Sequence, residues 1–338
     1  MLTIALTVAV QVAGWEAGPP LPRPVSNNAV AAVETSRGWE VYALLGLDSS
    51  KRWDGVVNWA FRWNLREDRW EDIEPVPGPG RLAGTAQAVR GKVYLFGGYT
   101  VAQDGSEQSL PNVDIYDPLT GRWSSGTPIP VPTDDASSGV WRDSLIFLVS
   151  GWHDRDNIAN VQIYDPARDA WQQATPIPGP PVFGHAGTIV GDAIVYIDGV
   201  RVDRDPRRFV LQKSSWQGEI DPLDPTRIAW RRVTDHPRGP LYRAGAGTLV
   251  GSAIFAGGTD NPYNYDGIGY DGIRSEPLTS VFTYDPGAGH WSAAAPLPQG
   301  VMDLRGIVRA GDRLVIVGGM RDGQRVGTGV WVRRLGRP

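Results

Sequence analysis

Short apolar runs that end at a glycine recur along the chain. Each is rich in Val, Ile, Leu, Ala or aromatic residues, and they occupy positions 39–47, 92–98, 144–151, 193–199, 252–258 and 313–319. Three of them end in Gly-Gly, at 97–98, 257–258 and 318–319. No stretch keeps a period of 3.6 long enough to predict a helix. The pattern therefore predicts strands that the backbone leaves sharply at the glycines.

Six tryptophans mark a repeat of roughly 50 residues. Their spacings are 55, 53, 48, 59 and 61 residues, at Trp15, Trp70, Trp123, Trp171, Trp230 and Trp291. Five are followed five residues later by proline, and four are preceded at seven residues by Trp63, Tyr116, Tyr164 or Tyr284. Each unit thus predicts a four-stranded sheet, with the apolar run as its second strand, the tyrosine on the third and the tryptophan on the fourth.

The last unit lacks a fourth-strand pattern, and the N-terminal segment contains one. Residues from about 304 to 335 carry three strand patterns, whereas Trp15 is a fourth-strand signature with no strands before it. We therefore expect the N-terminal strand to complete the last sheet. Radial repetition of such sheets is a propeller. The sequence predicts an all-β, six-bladed β-propeller with antiparallel blades, forming a single domain over residues 15–338.

The Gly-Gly, Tyr and Trp signature of units two and five resembles the Kelch repeat family. Unit three has Ser150-Gly151 for the glycine pair, and unit one has Trp63 for the tyrosine. The resemblance covers about residues 15 to 335 and implies the propeller fold. It says little about function, because one fold hosts many activities.

Composition and charge exclude several classes of function. The 338 residues carry a net charge of −4 without a long basic run, so we predict no nucleic-acid partner. The absence of cysteine excludes disulfides, thiolate metal sites and cysteine nucleophiles. The four histidines lack metal-ligand spacing and no phosphate-binding motif occurs, so we predict neither a metal nor a cofactor.

Residues 1–14 are almost entirely apolar. The segment is too short to span a bilayer, so no membrane insertion of the mature chain is predicted. It is either the hydrophobic region of a signal peptide, without the usual preceding Lys or Arg, or an N-terminal strand. A signal peptide predicts a periplasmic or secreted protein; a strand is compatible with the cytoplasm.

Polar residues recur where each unit enters its first strand, near the predicted axis. Aligned across the units they are Asn27-Asn28, Arg81, Asp134-Asp135, His185, Arg243 and Asp303 with Arg305. They predict either a ligand-binding ring at the channel mouth or a network of groups that pair with one another. In the first case His185 is a candidate proton carrier, and the candidate ligand contacts are Arg81, Asp135, Arg243 and Arg305.

The loops that leave the glycines add further candidates, namely His153, Arg207, Asn264 and Tyr265. Asn264 and Tyr265 belong to the segment 260–267, where Tyr and Asn are dense. Such side chains suit sugar recognition through hydrogen bonds and ring faces, or they hold a surface Ω-loop together.

The second half of the chain is similar to the N-acetylneuraminate epimerase family, the sialic acid mutarotases. The similarity lies in 253–258, with its Asn/Tyr/Gly loop to 272, and in 313–319. It implies a catalytic Glu and Arg in the fourth-unit loop. The arginine carries over to Arg207 or Arg208, but Val200 stands at the glutamate position and cannot transfer a proton. Galactose oxidase also has Kelch repeats, but its cofactor needs a cysteine that this chain lacks.

Two functions remain open on these grounds. The first is a carbohydrate-handling propeller, either a mutarotase- or epimerase-like isomerase or a sugar binder, with its ligand at the channel mouth. The second is a non-enzymatic scaffold for protein–protein interaction, in which the same face binds a protein.

Overall fold

The chain folds into a six-bladed β-propeller, which confirms the predicted fold class. The computed structural model of the protein describes residues 14–336, and these form six four-stranded antiparallel sheets. No α-helix occurs between residues 14 and 336, where the only helical turns are the 3₁₀ turns Trp53–Gly55 and Asp322–Gln324. The segment 1–14, interpreted as a signal peptide or a strand, lies outside the described residues except for Gly14.

The blades follow one another along the chain, and the strands are numbered in chain order. Blade 1 contains β2 (Ala29–Thr35), β3 (Gly38–Leu47), β4 (Val56–Asn64) and β5 (Arg69–Asp72). Blade 2 contains β6 (Thr85–Val89), β7 (Lys92–Phe96), β10 (Val113–Asp117) and β11 (Arg122–Ser125). Blade 3 contains β12 (Ser137–Trp141), β13 (Leu145–Val149), β16 (Val161–Asp165) and β17 (Ala170–Ala174).

The second half repeats the same order. Blade 4 contains β18 (Ala186–Val190), β19 (Ala193–Ile197), β22 (Ser215–Ile220) and β23 (Ile228–Arg232). Blade 5 contains β24 (Gly245–Leu249), β25 (Ser252–Ala256), β26 (Val281–Asp285) and β27 (His290–Ala293). Blade 6 contains β28 (Val308–Ala310), β29 (Arg313–Val317), β32 (Val330–Arg334) and, from the other end of the chain, β1 (Trp15–Ala17).

Closure of the ring joins the two ends of the chain, as the sequence predicted. Strand β1 pairs antiparallel with β32, and Trp15 lies opposite Arg333. The first strand of every blade contacts that of the next, and β28 contacts β2, so the inner strands surround a common axis. Since Trp15 is buried among apolar residues of blades 5 and 6, the N-terminal strand contributes to the core as well as to the sheet.

The seven-residue spacing between tyrosine and tryptophan comes from a hairpin. Tyr116 lies directly opposite Trp123 across β10 and β11, with ring centroids 5.0 Å apart. Blades 3 and 5 repeat the pair, and blade 1 replaces the tyrosine by Trp63 opposite Trp70. Cross-strand aromatic pairs of this kind stabilise a sheet and fix its register.

The proline five residues after five of the six tryptophans also has a structural cause. The residue before a proline is held extended, and in four of the five cases its carbonyl accepts a hydrogen bond from a tryptophan of the next blade. Thus the Trp123 indole donates to the Glu74 carbonyl at 2.8 Å, and Trp171 donates to Thr127 at 2.8 Å. Trp70, Trp230 and Trp291 make the equivalent hydrogen bond. The acceptor for Trp291 is the Thr234 carbonyl, and the residue after Thr234 is an aspartate rather than a proline. Only the indole of Trp15, among these six, has no partner, so the closing contact between blades 5 and 6 lacks this bond.

Candidate functional site

Small hairpins rise from one end of the propeller, directly after the glycines of the second strands. Four are two-stranded sheets: β8 (Tyr99–Val101) with β9 (Glu107–Ser109), β14 (Trp152–His153) with β15 (Asp156–Asn157), β20 (Val200–Arg204) with β21 (Arg207–Leu211), and β30 (Met320–Arg321) with β31 (Arg325–Val326). Blade 5 carries a longer loop instead, held by the bridge between Tyr263 and Gly269. These insertions form walls around this end of the propeller.

A cavity of about 370 Å³ opens between the hairpins of blades 2 to 5. Its wall is a mixture of aromatic rings, carboxylates, two arginines and one amide: Tyr99, Glu107, Asp134, Asp135, Trp152, Asp154, Phe183, Arg207, Phe209, Arg243, Asn264 and Tyr270, with Gly105. A concave site with an apolar surface and a few converging polar groups is the usual form of a small-molecule site.

The aromatic side chains form a continuous wall. The Phe209 and Tyr270 rings stack with centroids 3.9 Å apart and planes 17° apart, which links the hairpin of blade 4 to the loop of blade 5. Phe183 meets both Trp152 and Phe209 edge to face, at 5.2 and 6.0 Å. Tyr270 is 40% exposed, and its hydroxyl can donate a hydrogen bond.

The floor of the cavity is a buried network of ions on the propeller axis. Arg243 donates to both carboxylate oxygens of Asp135, at 3.1 and 2.7 Å, and to Asp303 at 3.1 Å. Arg305 also pairs with Asp135, and the Asn27 amide donates to Asp303 at 3.0 Å. Burial opposes the charge of Asp135, but Arg243 and Arg305 hold its pKa below the usual range. A smaller cavity of about 230 Å³ between the inner strands lies on the Arg305 side of this network.

Two carboxyl groups near the floor have raised pKa values. Asp134 is fully buried next to Asp135, and burial together with that neighbouring charge raises its pKa well above the usual range. Its only side-chain partner is the Ser109 hydroxyl, at 2.5 Å. Burial also raises the pKa of Glu107, whose carboxylate accepts a hydrogen bond from the Asn264 amide at 2.8 Å. A carboxyl group with a raised pKa can act as a general acid, which is one of the roles in acid–base catalysis.

The Glu107 carboxyl gives a prediction on stability. Because its pKa in the folded protein lies above its ordinary value of 4.5, the folded state holds this proton more tightly than the unfolded state. This contribution to stability is present below pH 4.5 and is lost as the pH rises through the folded-state value. In Glu107→Gln the side chain stays neutral. We expect the unfolding free energy of the variant, relative to the native protein, to increase from pH 4 to pH 8 in urea titrations. A difference that does not change with pH would contradict the assignment.

Four of the sequence-predicted residues line the cavity: Asp135, Arg207, Arg243 and Asn264. His153 and Tyr265 belong to the hairpins that surround it but are not among its lining residues, and Arg305 lies in the floor. The polar ring was predicted either to bind a ligand or to pair within itself. Asp135, Asp303, Arg243 and Arg305 do pair with one another, and they are buried rather than open to a solvent channel.

The remaining two candidates lie elsewhere. Arg81 is completely buried and forms an ion pair with Asp114 inside blade 2. His185 is buried without a hydrogen-bond partner on either ring nitrogen, and burial lowers its pKa to about 4. The imidazole is therefore neutral at pH 7 and is not part of the cavity wall. Val200, at the position of the catalytic glutamate in the similar family, is buried in an apolar cluster.

Sequence reasoning missed Glu107, Tyr99, Phe183 and Phe209 as lining residues. Tyr99–Val101 and Val200–Arg204 alternate apolar and polar residues, which is a strand signal. Glu107–Ser109 and Arg207–Leu211 do not alternate, so no periodic pattern in the sequence marked Glu107 or Phe209.

Between residues 14 and 336 no three His, Asp or Glu side chains lie close enough together to hold a metal ion. No helix in that range has the length and apolar character needed to cross a membrane.

The chain is similar to known Kelch proteins. The Kelch motif family model matches residues 80–130, which contain blade 2. The Kelch-like protein terF of Aspergillus terreus is 24% identical over 355 aligned residues, covering 95% of this chain and 71% of that protein. Beta-scruin of Limulus polyphemus is 26% identical over 146 residues, which cover 42% of this chain and 15% of that protein. The solved structure of YjhT superposes with a TM-score of 0.74 at 18% identity, covering 93% of this chain and 95% of that one, which supports the fold.

Proposed function

We propose that this chain, a Kelch-repeat β-propeller, binds a neutral carbohydrate in the cavity between the hairpins of blades 2 to 5. The observation that carries the proposal is the pairing of stacked aromatic rings with carboxyl and amide groups in one enclosed wall. Sugars present apolar C–H faces, which pack on aromatic rings, and hydroxyl groups, which both donate and accept hydrogen bonds. Glu107, Asp134 and Asn264 supply the matching polar atoms.

The charges favour a neutral ligand over an anionic sugar. Arg243 already uses four of its five N–H donors on Asp135, Asp303 and the Asn264 carbonyl, so at most one is left for a ligand carboxylate. The other arginine in the wall, Arg207, is exposed at the rim and donates to the Arg155 carbonyl at 3.1 Å. Asp154 also faces the cavity, as do Glu107 and Asp134, and an anionic sugar would be repelled by whichever of these carboxyl groups are ionised.

The finer form of the proposal is ring-opening isomerisation of the bound sugar, as in a mutarotase. A base takes the proton of the anomeric hydroxyl while an acid protonates the ring oxygen, the C1–O5 bond breaks, and reversal on the other face of the aldehyde closes the ring again. Glu107 and Asp134 fit these two roles, since both have raised pKa values and the charge of Glu107 contributes to the raised pKa of Asp134. In this proposal they take the role of the catalytic glutamate of the similar family, whose position is occupied here by Val200.

Phe209→Ala tests the binding step. Loss of the stacked ring is expected to weaken sugar affinity by about 0.5–1.5 kcal/mol, roughly 2- to 13-fold in the dissociation constant. The measurement is NMR line broadening or calorimetry with a panel of neutral and anionic monosaccharides. Trp53→Ala, an exposed aromatic on the same end of the propeller outside the cavity, is the matched control and should bind normally. Tighter binding of the anionic sugars, or no effect of Phe209→Ala, would refute the neutral-sugar site.

A protein-binding scaffold is the second candidate, and one observation favours it. Trp53, Tyr270 and Ile273 expose 38%, 40% and 63% of their surface on the loops of blades 1 and 5, and the Lys51 ammonium links these loops through the Asp266 carbonyl. Exposed apolar groups on one face mark interaction surfaces. For this function Trp53→Ala would weaken partner binding more than Phe209→Ala, which reverses the order expected for a sugar.

Export to the periplasm or secretion is part of the sugar-handling proposal, and it rests on residues 1–14 being a signal peptide rather than a strand. The mature N-terminus, determined by sequencing the purified protein, tests it. Trp15 must remain after any cleavage, because β1 completes blade 6.

A further inference from the structure

A second cavity lies away from the axis, on the outer part of blade 6. Its volume is about 660 Å³, and it is bounded by the connection from β1 to β2 and by the segment that joins β31 to β32. Arg321, Arg325, Gln299 and Thr328 provide its polar side chains, whereas Asp and Glu are missing from its described lining. Two cations without a carboxylate make this wall complementary to an anion.

The Arg321 guanidinium is unusual in its surroundings. The residue is only 7% exposed, and neither terminal nitrogen has a hydrogen-bond acceptor. It lies 5.2 Å from the centre of the Trp331 ring, whose indole N–H is also without a partner. Burial lowers the pKa of Arg321 to about 10, although Asp322 opposes the shift. A buried cation without a counterion destabilises a protein, so this arrangement calls for a partner that the chain itself does not supply.

We propose that this cavity binds an organic carboxylate, with Arg321 as its ion-pair partner. A guanidinium pairs bidentately with a carboxylate in a planar fork. The apolar part of such a ligand would pack on Trp331, Val330 and the prolines Pro20 and Pro24, which also line the cavity. Because the terminal nitrogens of Arg321 are shielded from solvent, this pairing requires the side chain to turn towards the cavity. This site is separate from the one between the hairpins and does not depend on the sugar-binding proposal.

Thermal unfolding with benzoate tests the proposal. In the native protein we expect a saturable rise in Tm of about 2–4 °C at ten times the dissociation constant, compared with chloride at equal ionic strength. Arg321→Gln should lose this rise. Without benzoate the same variant should have a higher Tm than the native protein, because it no longer buries an unpaired charge. Arg333→Gln is the matched control: Arg333 is a half-buried arginine of β32 with an unpartnered nitrogen but lies outside the cavity lining, and this variant should keep the rise.

The other outcomes decide against the proposal. Equal stabilisation of the native protein and Arg321→Gln, or none in either, would overturn it. A rise with inorganic phosphate and none with benzoate would overturn the assignment of an organic carboxylate. Should Arg321→Gln fail to fold, Arg321→Lys keeps the charge but not the planar fork, and the proposal then requires a weaker rise than in the native protein.

Discussion

Replacing Arg243 by methionine is expected to destabilise the folded protein by about 3–5 kcal/mol. The side chain is almost completely buried and neutralises Asp135 and Asp303 at once. Methionine has similar bulk but leaves both carboxylates in a poorly solvated place, with Arg305 as the remaining cation. The free energy of unfolding from urea titration at pH 7 measures the loss.

The matched control for this variant is Arg142→Met on the surface of blade 3. Arg142 pairs with Asp192 at 3.0 Å, but both side chains are more than 40% exposed. Exposed ion pairs contribute about 0–1 kcal/mol. If the Arg243 and Arg142 variants lost equal stability, the network on the axis would contribute no more than an ordinary surface pair, and its role as the floor of the cavity would have to be rejected.

Trp15→Ala is expected to cost about 3–5 kcal/mol, the range for truncation of a large buried aromatic side chain. Trp15 is 7% exposed and packs among Ile254, Leu297 and Leu314, so its loss opens a void between blades 5 and 6. Differential scanning calorimetry measures the change. Leu223→Ala, at a side chain that is 94% exposed, is the control and should change stability by less than about 0.5 kcal/mol.

Phenylalanine variants separate packing from hydrogen bonding at this position. Trp15→Phe should restore much of the stability, because the Trp15 indole N–H makes no hydrogen bond that could be lost. Trp123→Phe removes both ring area and the bond to the Glu74 carbonyl. A larger loss in Trp15→Phe than in Trp123→Phe would contradict this account of the blade contacts.

The fold was predictable because its determinants are local and repeated. A tryptophan opposite a tyrosine in a hairpin imposes the seven-residue spacing between these two residues. The extended residue before a proline, whose carbonyl accepts the indole hydrogen bond, accounts for the five-residue spacing between tryptophan and proline. These constraints recur in nearly every blade, so a single sequence contains several independent copies of the same evidence. The closing strand was predictable for the same reason, since Trp15 is a fourth-strand signature without its own blade.

The candidate site was harder to predict because it is assembled across blades that differ from one another. Entry into the first strand placed Asp135 and Arg243 correctly near the axis, but the same rule selected Arg81, which turns into its own blade to meet Asp114. Glu107 and Phe209 come together only through hairpins whose lengths differ between blades 2 and 4. Repeat position fixes where a backbone segment lies, whereas the direction of a polar side chain depends on which neighbour offers a counter-charge.

The union of β1 with β32 has a consequence for how the protein is made. The Arg334 guanidinium meets the Glu16 carboxylate at 3.1 Å, although 318 residues separate them. Strand β1 is therefore synthesised long before β32, and Trp15 stays uncovered until β32 has been made. Chains that finish close together can exchange these N-terminal strands, each completing the sixth sheet of another molecule. Domain-swapped dimers are thus the misassembly that this architecture invites at high expression.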